Sequence, residues 1–259
     1  CLEVRCHAES QACHKALRQR LLARFAEPAE ADIAIQSESA LRRSKRLLVM
    51  DMDSTLIQCE VIDELARHHG VFEAVQAITQ EAMEGGLPFE ESLRRRVAML
   101  KGLPVTVLQR LAGTLPLTPG AETLVHVLRV LGYRIGVLSG GFDFAALRLK
   151  RDLGLDFAFA NALEVVHEAG KGGVLSGAVR PPVVRPERKA DLLGTVAQQH
   201  GIHAWQTVAV GDGANDLRML ERAGLGIAFH AKPKVRAEAD TSLSRGGLDH
   251  ILYLLGLDD

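Results

Sequence analysis

The sequence predicts an α/β fold, in which a Rossmann-like, doubly wound parallel sheet carries a helical cap insertion after its first strand. From Leu47 onward, short apolar runs recur, and each is followed by turn residues and a helical pattern. Strands that alternate with helices form parallel sheets covered on both faces, so their strands are apolar throughout. Residues 61–115 interrupt the alternation, because helical spacing continues there without a convincing strand.

Each predicted element of the sheet region follows from these patterns. The apolar runs that predict strands lie at 47–50, 135–138, 157–160, 207–210 and 226–229. The helical patterns between them lie at 120–131, 143–153, 187–200 and 216–223. An irregular stretch at 162–184 predicts a β-hairpin, because glycines cluster near its middle.

The chain divides into three predicted parts. Residues 1–40 are predicted to form a short βαβ segment, with strands at 2–6 and 31–35, and a basic linker at 41–46 follows it. The catalytic α/β core is expected over 47–60 and 116–259, and the helical cap over 61–115. The chain starts at Cys1 and not at Met, so the N-terminal segment is expected to be truncated.

Composition argues against several functional classes. The 259 residues carry a net charge of −1, which gives no basic surface for a nucleic acid. No apolar run reaches the roughly 18 residues that would span a bilayer, and no signal peptide is visible. The four cysteines form no CxxC pair, which favours a reducing compartment and hence a cytoplasmic location. The sequence leaves a homodimer open.

Two acidic loops follow predicted parallel strands. Asp51 and Asp53 come directly after the first strand, while Asp212, Asn215 and Asp216 follow the strand at 207–210. Either loop alone could be an Asx turn or a capped helix start. However, the carboxyl ends of parallel strands meet at one edge of the sheet, and buried carboxylates are costly unless something compensates them. Together the loops predict a shared Mg²⁺ site.

A phosphate-binding turn is predicted after the strand at 135–138. Ser139-Gly140-Gly141 offers a hydroxyl and glycine N–H groups there, although such a turn could equally be a plain flexible one. Lys189 opens a helical pattern, where a positive charge is unfavourable unless an anion lies nearby. Lys150 and Lys171 are rival lysines without such a positional argument.

Taken together and in this order, these motifs resemble those of the haloacid dehalogenase superfamily of phosphotransferases. They are Asp51-Met52-Asp53-Ser54-Thr55, the Ser139 turn, Lys189 and Gly211-Asp212-Gly213-Ala214-Asn215-Asp216. The cap sequences at 81–85 and 89–97 resemble the substrate-pocket segments of members that act on a phosphorylated amino acid. The resemblance covers roughly residues 47–255, and residues 1–40 resemble the end of a regulatory-type domain found in some relatives.

The resemblance implies a hydrolase of the last step of serine biosynthesis. Such an enzyme removes phosphate from phosphoserine through an aspartyl-phosphate intermediate, with Mg²⁺ as its cofactor. The resemblance further implies that Asp51 is the nucleophile and that Asp53 is the general acid and base. Mg²⁺ would be held by Asp51, Asp212 and the backbone carbonyl of Asp53, with Asp216 and Asn215 supporting the metal and the phosphate.

The resemblance also implies a set of substrate-binding residues. The phosphoryl oxygens would be bound by Ser139, Gly140 and Lys189. Glu60 would bind the ammonium group of the amino acid and Arg96 its carboxylate, with Met83 and Phe89 as pocket walls. Without the resemblance, Arg96 would be placed on the solvated side of its helix beside Arg94 and Arg95.

Three alternative functions were weighed. The nearest is a phosphatase or phosphotransferase of the same fold that acts on another small phosphorylated metabolite. A binding module that senses phosphorylated ligands without turnover has no need of the second acid, Asp53. A receiver domain that is phosphorylated on aspartate is much shorter and lacks both the cap and that second acid.

Overall fold

The sheet is built around β1 (Leu47–Met50), whose four side chains are all fully buried. Leu48 and Met50 belong to one apolar core, and Leu47 and Val49 belong to a second. Successive side chains of a strand point to opposite faces, so the two cores lie on the two faces of the sheet. The apolar runs in the sequence therefore reflect burial on both sides, as expected for a parallel sheet.

This computed structural model describes residues 16, 17, 20, 32–36, 42–83, 85–168 and 172–257. Within these residues a seven-stranded sheet has the order β4-β3-β2-β1-β5-β6-β7. All neighbouring strands are parallel except β3 and β4, which form the predicted antiparallel hairpin. The strands after β1 are β2 (Arg134–Phe142), β3 (Phe157–Glu168), β4 (Gly172–Arg180), β5 (Thr207–Gly211), β6 (Gly226–Phe229) and β7 (Thr241–Leu243).

Four helices lie within residues 61–115, where the sequence predicts the cap. They are α1 (Val61–His69), α2 (Phe72–Met83), α3 (Phe89–Ala98) and α4 (Val105–Ala112). The later helices are α5 (Ala121–Val130), α6 (Asp143–Leu153), α7 (Pro186–Gln199), α8 (Leu217–Arg222), α9 (Pro233–Glu238) and α10 (Ile251–Leu254). None of the helices within the described ranges is long and apolar enough to cross a bilayer. The predicted α/β fold with a helical insertion is confirmed.

Four of these elements were not predicted from the sequence, namely α2, β7, α9 and α10, of which α10 has only four residues. Helix α2 buries only Val75, so it has no apolar stripe for periodicity to detect. Strand β7 has three residues and lies at the edge of the sheet, which is too short for an alternating pattern. Helix α9 has six residues and buries only Val235.

One prediction for the segment before β1 is wrong in the described residues. Residues 32–35 of the strand predicted at 31–35 are irregular, and Asp32 contacts the C-terminal region through its side chain. The carboxylate of Asp32 accepts hydrogen bonds from the backbone N–H groups of Ser244 and Arg245, each at 2.9 Å. The linker at 41–46 is not uniformly solvated, since Lys45 is buried and its ammonium donates to two backbone carbonyls. The other elements predicted for residues 1–40 lie outside the described residues.

Candidate active site

The two acidic loops meet at the carboxyl edge of the sheet. Strands β1 and β5 are parallel neighbours, and Met50 pairs with Val210 at their ends. The residues that follow are therefore brought together, and carboxylate oxygens of Asp51, Asp212 and Asp216 lie within 4.8 Å of one another. This is the clustering that the sequence predicts.

Lys189 provides a positive charge inside this cluster. Its side chain is 1% exposed, and Nζ lies 2.8 Å from Oδ2 of Asp51 and 2.8 Å from Oδ1 of Asp216. Burial alone would lower the pKa of Lys189, but Asp216 and Asp51 outweigh it and raise the pKa above its ordinary value. Lys189 therefore stays charged and lies within the acidic cluster, whereas its rival Lys171 lies outside the described residues.

The remaining negative charge of the cluster suits a divalent cation. Three ionised carboxylates and one ammonium would leave two negative charges uncompensated. Burial, followed by the charges of Asp51 and Glu60, raises the pKa of Asp212 to about 7. Mg²⁺ binds oxygen ligands at about 2.1 Å, so ligands on opposite sides of the ion are about 4.2 Å apart. The oxygen spacing and the carboxylate donors therefore suit a divalent cation.

Local hydrogen bonds fix the carboxylates of Asp51 and Asp212. Oδ1 of Asp51 accepts from the N–H of Met52 at 2.7 Å, and Oδ2 accepts from the amide of Asn215 at 3.2 Å. The hydroxyl of Thr55 donates to Oδ1 of Asp212 at 3.1 Å. Thr118 in turn donates to the backbone carbonyl of Thr55 at 2.6 Å. Thr118 lies outside the sequence motifs, and no spacing pointed to it.

Asp53 lies beside the cluster in a different environment. Its Oδ1 accepts from the N–H of Val61 at 2.8 Å, at the start of α1. Burial, then the nearby charge of Glu60, raises the pKa of Asp53 well above its ordinary value. A Cβ on Gly141 would lie 2.2 Å from Oδ2 of Asp53, so only glycine fits there. The two acids of the first loop thus differ, since Asp51 is paired with an ammonium and Asp53 favours its protonated form.

Residues 139–141, which the sequence predicts to bind phosphate, lie beside Asp53. Ser139 is fully buried, and its Oγ accepts from the N–H of Gly141 at 2.8 Å and lies 3.5 Å from Oδ2 of Asp53. Residues 139–141 belong to the end of β2 and not to a turn after it, because the strand continues to Phe142. A Cβ on Gly140 would lie 3.1 Å from the ring of Phe89, so this cap residue lies over the turn.

Glu60 and Arg96 lie at the boundary between cap and core. Ser54, with a left-handed φ of 56°, donates to Oε1 of Glu60 at 2.7 Å. Glu60 is solvent-accessible but lies in a recess where desolvation raises its pKa, while the Ser54 hydrogen bond lowers it. Burial lowers the pKa of Arg96, and the charges of Glu60, Asp63 and Asp53 raise it. Arg96 is thus only partly exposed, and its guanidinium lies close enough to these acidic groups to interact with their charges.

Met83 is a predicted site residue that the structure leaves largely exposed. Its side chain is 58% exposed at the end of α2, and its sulfur accepts a hydrogen bond from Lys232 at 3.6 Å. Lys232 immediately precedes α9 in the core, so this contact joins cap and core. Sequence analysis did not find Lys232, because it lies in no motif.

Comparison with protein families shows which family the chain belongs to. The haloacid dehalogenase-like hydrolase family matches residues 45–224. The chain belongs to this family. The matched range contains both acidic loops, the phosphate-binding turn and Lys189, so the family assignment rests on the residues that form the site.

Several members of the haloacid dehalogenase-like hydrolases are close to this chain. The phosphoserine phosphatase SerB2 of Mycobacterium tuberculosis is 50% identical over 239 residues, which are 92% of this chain but 57% of that protein. The chain thus spans less than two thirds of this relative. The phosphoserine phosphatase of Methanocaldococcus jannaschii is 46% identical over 82% of this chain and 98% of its own length. A solved structure described as a phospho-aspartyl intermediate analogue of phosphoserine phosphatase is 46% identical, with a TM-score of 0.74, over 81% of this chain and 98% of that chain.

Proposed function

We propose that this chain hydrolyses O-phospho-L-serine to L-serine and phosphate, with Mg²⁺ as cofactor. The observation that carries the proposal is the pair of unlike acids, in which Asp51 is paired with Lys189 and Asp53 has a raised pKa. Covalent phosphate transfer needs a nucleophile and a separate proton donor. The names of the relatives in M. tuberculosis and M. jannaschii support the substrate, and the intermediate analogue of the solved structure supports the covalent route.

In the proposed first step, the carboxylate of Asp51 attacks phosphorus and the bond to the serine oxygen breaks. Protonated Asp53 gives its proton to that oxygen, so serine leaves as a neutral alcohol. In the second step, ionised Asp53 takes a proton from water, the water oxygen attacks the phosphorus, and the carboxylate of Asp51 is released. Lys189 and the hydroxyl of Ser139 stabilise the phosphoryl oxygens in both steps.

We assign the cation site to Asp51, Asp212 and the backbone carbonyl of Asp53. Asp216 already accepts hydrogen bonds from Lys189 at 2.8 Å and from the N–H of Gly213 at 3.1 Å, so we assign it a supporting role. Bound Mg²⁺ supplies positive charge that offsets the dianionic phosphate. Asn215 holds Asp51 through its amide and supports the same arrangement.

We assign substrate choice to Glu60 and Arg96. The guanidinium fork pairs with a carboxylate, and the carboxylate of Glu60 pairs with an ammonium group. A zwitterion with a phosphate on a short side chain satisfies both residues, whereas a sugar phosphate satisfies neither. Phe89 forms a wall at the phosphate end, and we place Met83 at the opposite wall, where its exposed side chain can reach a ligand when the cap moves.

The proposal extends to domain organisation and setting. We divide the described chain into a core of 47–60 and 116–257 and a cap of 61–115, and we keep a cytoplasmic location and a homodimer as predictions. Cell fractionation would test the location, and light scattering of the purified protein would test the oligomeric state.

One assay tests the substrate and the cofactor together. Phosphate release is measured over a panel of phosphoserine, phosphothreonine, sugar phosphates and an aryl phosphate, with Mg²⁺ or with a chelator. We expect phosphoserine to give the highest kcat/KM and the chelator to abolish turnover. A higher kcat/KM for another phosphorylated metabolite would retain the catalytic assignment but replace the substrate. No turnover on any of them would refute the proposal.

A further inference from the structure

Asn161 joins two parts of the site that lie far apart in sequence. It is fully buried in β3, opposite Phe142 of β2. The register between the two strands shifts between Leu138 and Phe142, so residues 139–141 are not held by the regular ladder. A side-chain amide at this place can bind the backbone groups that the shift leaves unpaired.

One end of the amide fixes the phosphate-binding turn. Nδ2 of Asn161 donates to the carbonyl of Gly140 at 2.7 Å. That carbonyl and the N–H of Gly141 belong to the same planar peptide unit, so the bond also fixes the direction of the N–H. The N–H donates to Oγ of Ser139 at 2.8 Å, which occupies one lone pair of the hydroxyl. The hydroxyl of Ser139 in turn donates to Oδ2 of Asp53 at 3.5 Å, so this bond orients the hydroxyl toward the site.

The other end of the amide fixes the approach to Lys189. Oδ1 of Asn161 accepts from the N–H of Val184 at 2.7 Å. Val184 is buried and lies just before α7, whose first turns carry Lys189 into the acidic cluster. A single side chain thus ties the hydroxyl and the ammonium to one another, and it needs a donor at one end and an acceptor at the other.

We propose that Asn161 is a positioning residue for phosphoryl binding, which holds Ser139 and Lys189 at a fixed separation around the phosphate. The inference rests on the proposed phosphatase function. Asn161 itself touches backbone groups only among the contacts described, so its effect passes through the peptide at Gly140 and the loop at Val184. Misplacement of a binding group by about 1 Å can cost on the order of a hundredfold in rate.

Two substitutions in the full chain test this role. Asn161→Asp keeps the volume and the acceptor, but an ionised carboxylate cannot donate to Gly140, whereas a protonated carboxyl can. Asn161→Ala removes both bonds at every pH. Thr241→Val is the matched control, because Thr241 is also a buried polar residue of the sheet and its hydroxyl has no hydrogen-bond partner among the described residues.

The expected result has two signatures. At alkaline pH, kcat/KM of both Asn161 variants is about ten- to a hundredfold lower than that of wild type at the same pH. As the pH is lowered and the introduced carboxyl becomes protonated, kcat/KM of Asn161→Asp recovers toward the wild-type value. Phosphoserine and an aryl phosphate are affected equally, because both present the same phosphoryl group. Thr241→Val keeps wild-type kinetics.

Affinity for inorganic phosphate, measured by calorimetry with Mg²⁺ present, gives a readout that needs no turnover. We expect Asn161→Ala to weaken it by about tenfold or more while the protein stays folded. Wild-type phosphate affinity in folded Asn161→Ala would overturn the inference, and so would a loss in Asn161→Asp that is identical at every pH. If the wild-type protein binds phosphate but does not hydrolyse phosphoserine, the proposed function is refuted. The phosphate-binding data for the Asn161 variants then decide alone whether the positioning role holds.

Discussion

Arg96 offers the sharpest test of substrate choice, because three consecutive arginines of α3 behave differently. Arg94 and Arg95 both bond to Glu91 and keep much of their side chains in solvent. Arg96 is partly buried, and its Nε lies 3.4 Å from the carbonyl of Ser92. Replacing Arg96 by alanine should therefore remove a contact with substrate, whereas replacing Arg94 should remove only a surface ion pair.

The expected loss of kcat/KM in Arg96→Ala follows from how deeply the contact between Arg96 and the substrate carboxylate is buried. Truncating one partner of a buried charged pair costs ~2–5 kcal/mol, and the lower half of this range applies because Arg96 is only partly buried. A loss of about 2–3 kcal/mol corresponds to a drop of roughly 30- to 150-fold, since each 1.36 kcal/mol is a factor of ten. Surface pairs such as that of Arg94 contribute about 0–1 kcal/mol, so Arg94→Ala should change kcat/KM less than about fivefold.

The assay compares phosphoserine with an aryl phosphate, which has no amino-acid carboxylate to lose. For Arg96→Ala we expect the full drop with phosphoserine and a small one with the aryl phosphate. Arg96→Lys should recover only part of the loss, because an ammonium lacks the planar fork. An equal drop with both substrates would show that Arg96 acts in folding or cap closure, and an equal drop in Arg94→Ala would point to a general effect on α3.

Four further predictions concern the catalytic carboxylates. Asp51→Asn should abolish phosphate release with the fold intact, because an amide is a poor nucleophile, and residual turnover in pure protein would contradict the covalent route. Asp53→Asn should also be nearly inactive, but it should keep its affinity for Mg²⁺ in calorimetry, because the backbone carbonyl that binds the ion survives the change. If Asp53→Asn lost as much Mg²⁺ affinity as Asp51→Asn, the proposed division of roles between the two acids would be contradicted. Ca²⁺ should inhibit phosphate release, because it accepts bidentate carboxylates and would occupy both oxygens of Asp51. Equal rates of phosphate release with Ca²⁺ and with Mg²⁺ would count against this explanation. Without divalent cations the melting temperature should fall as pH rises from about 4 to about 7, because the folded state raises the pKa of Asp212 to about 7 and that of Asp216 to about 8. Mg²⁺ should oppose this trend, and Asp212→Asn should weaken it.

The parallel sheet and the central cluster were predictable from sequence, because strong local patterns specify both. Leu47–Met50 is apolar throughout since both sheet faces are covered, and the acids that follow must lie at the carboxyl edge. The pairing of Asp51 with Asp212 then needs only that β1 and β5 be neighbours. The role of Lys189 was only suggested, because its helical position gave a weak electrostatic argument and its burial came from tertiary packing.

The parts that sequence missed depend on contacts between distant residues. Asn161 stands in a strand where nothing in the local pattern requires an amide, and its meaning appears only when the shifted register of β2 is known. Lys45 belongs to a run of basic residues typical of a solvated linker, yet its ammonium reaches the carbonyls of Trp205 and Gly224. In both cases a polar side chain satisfies backbone groups left open by the tertiary fold, which periodicity does not encode.

The position of Lys189 also determines which side of Asp51 can hold a cation. The ammonium lies between Asp51 and Asp216, at 2.8 Å from each, and two cations repel each other at short range. A divalent cation should therefore bind on the side of Asp212, whose Oδ1 accepts the Thr55 hydroxyl and which makes no ion pair with Lys189 among the described residues. Asp51 would then lie between two positive charges. A dianionic phosphate could approach this carboxylate because its charge would be offset from both sides, so we expect the lysine and the metal to act as complementary parts of one binding site.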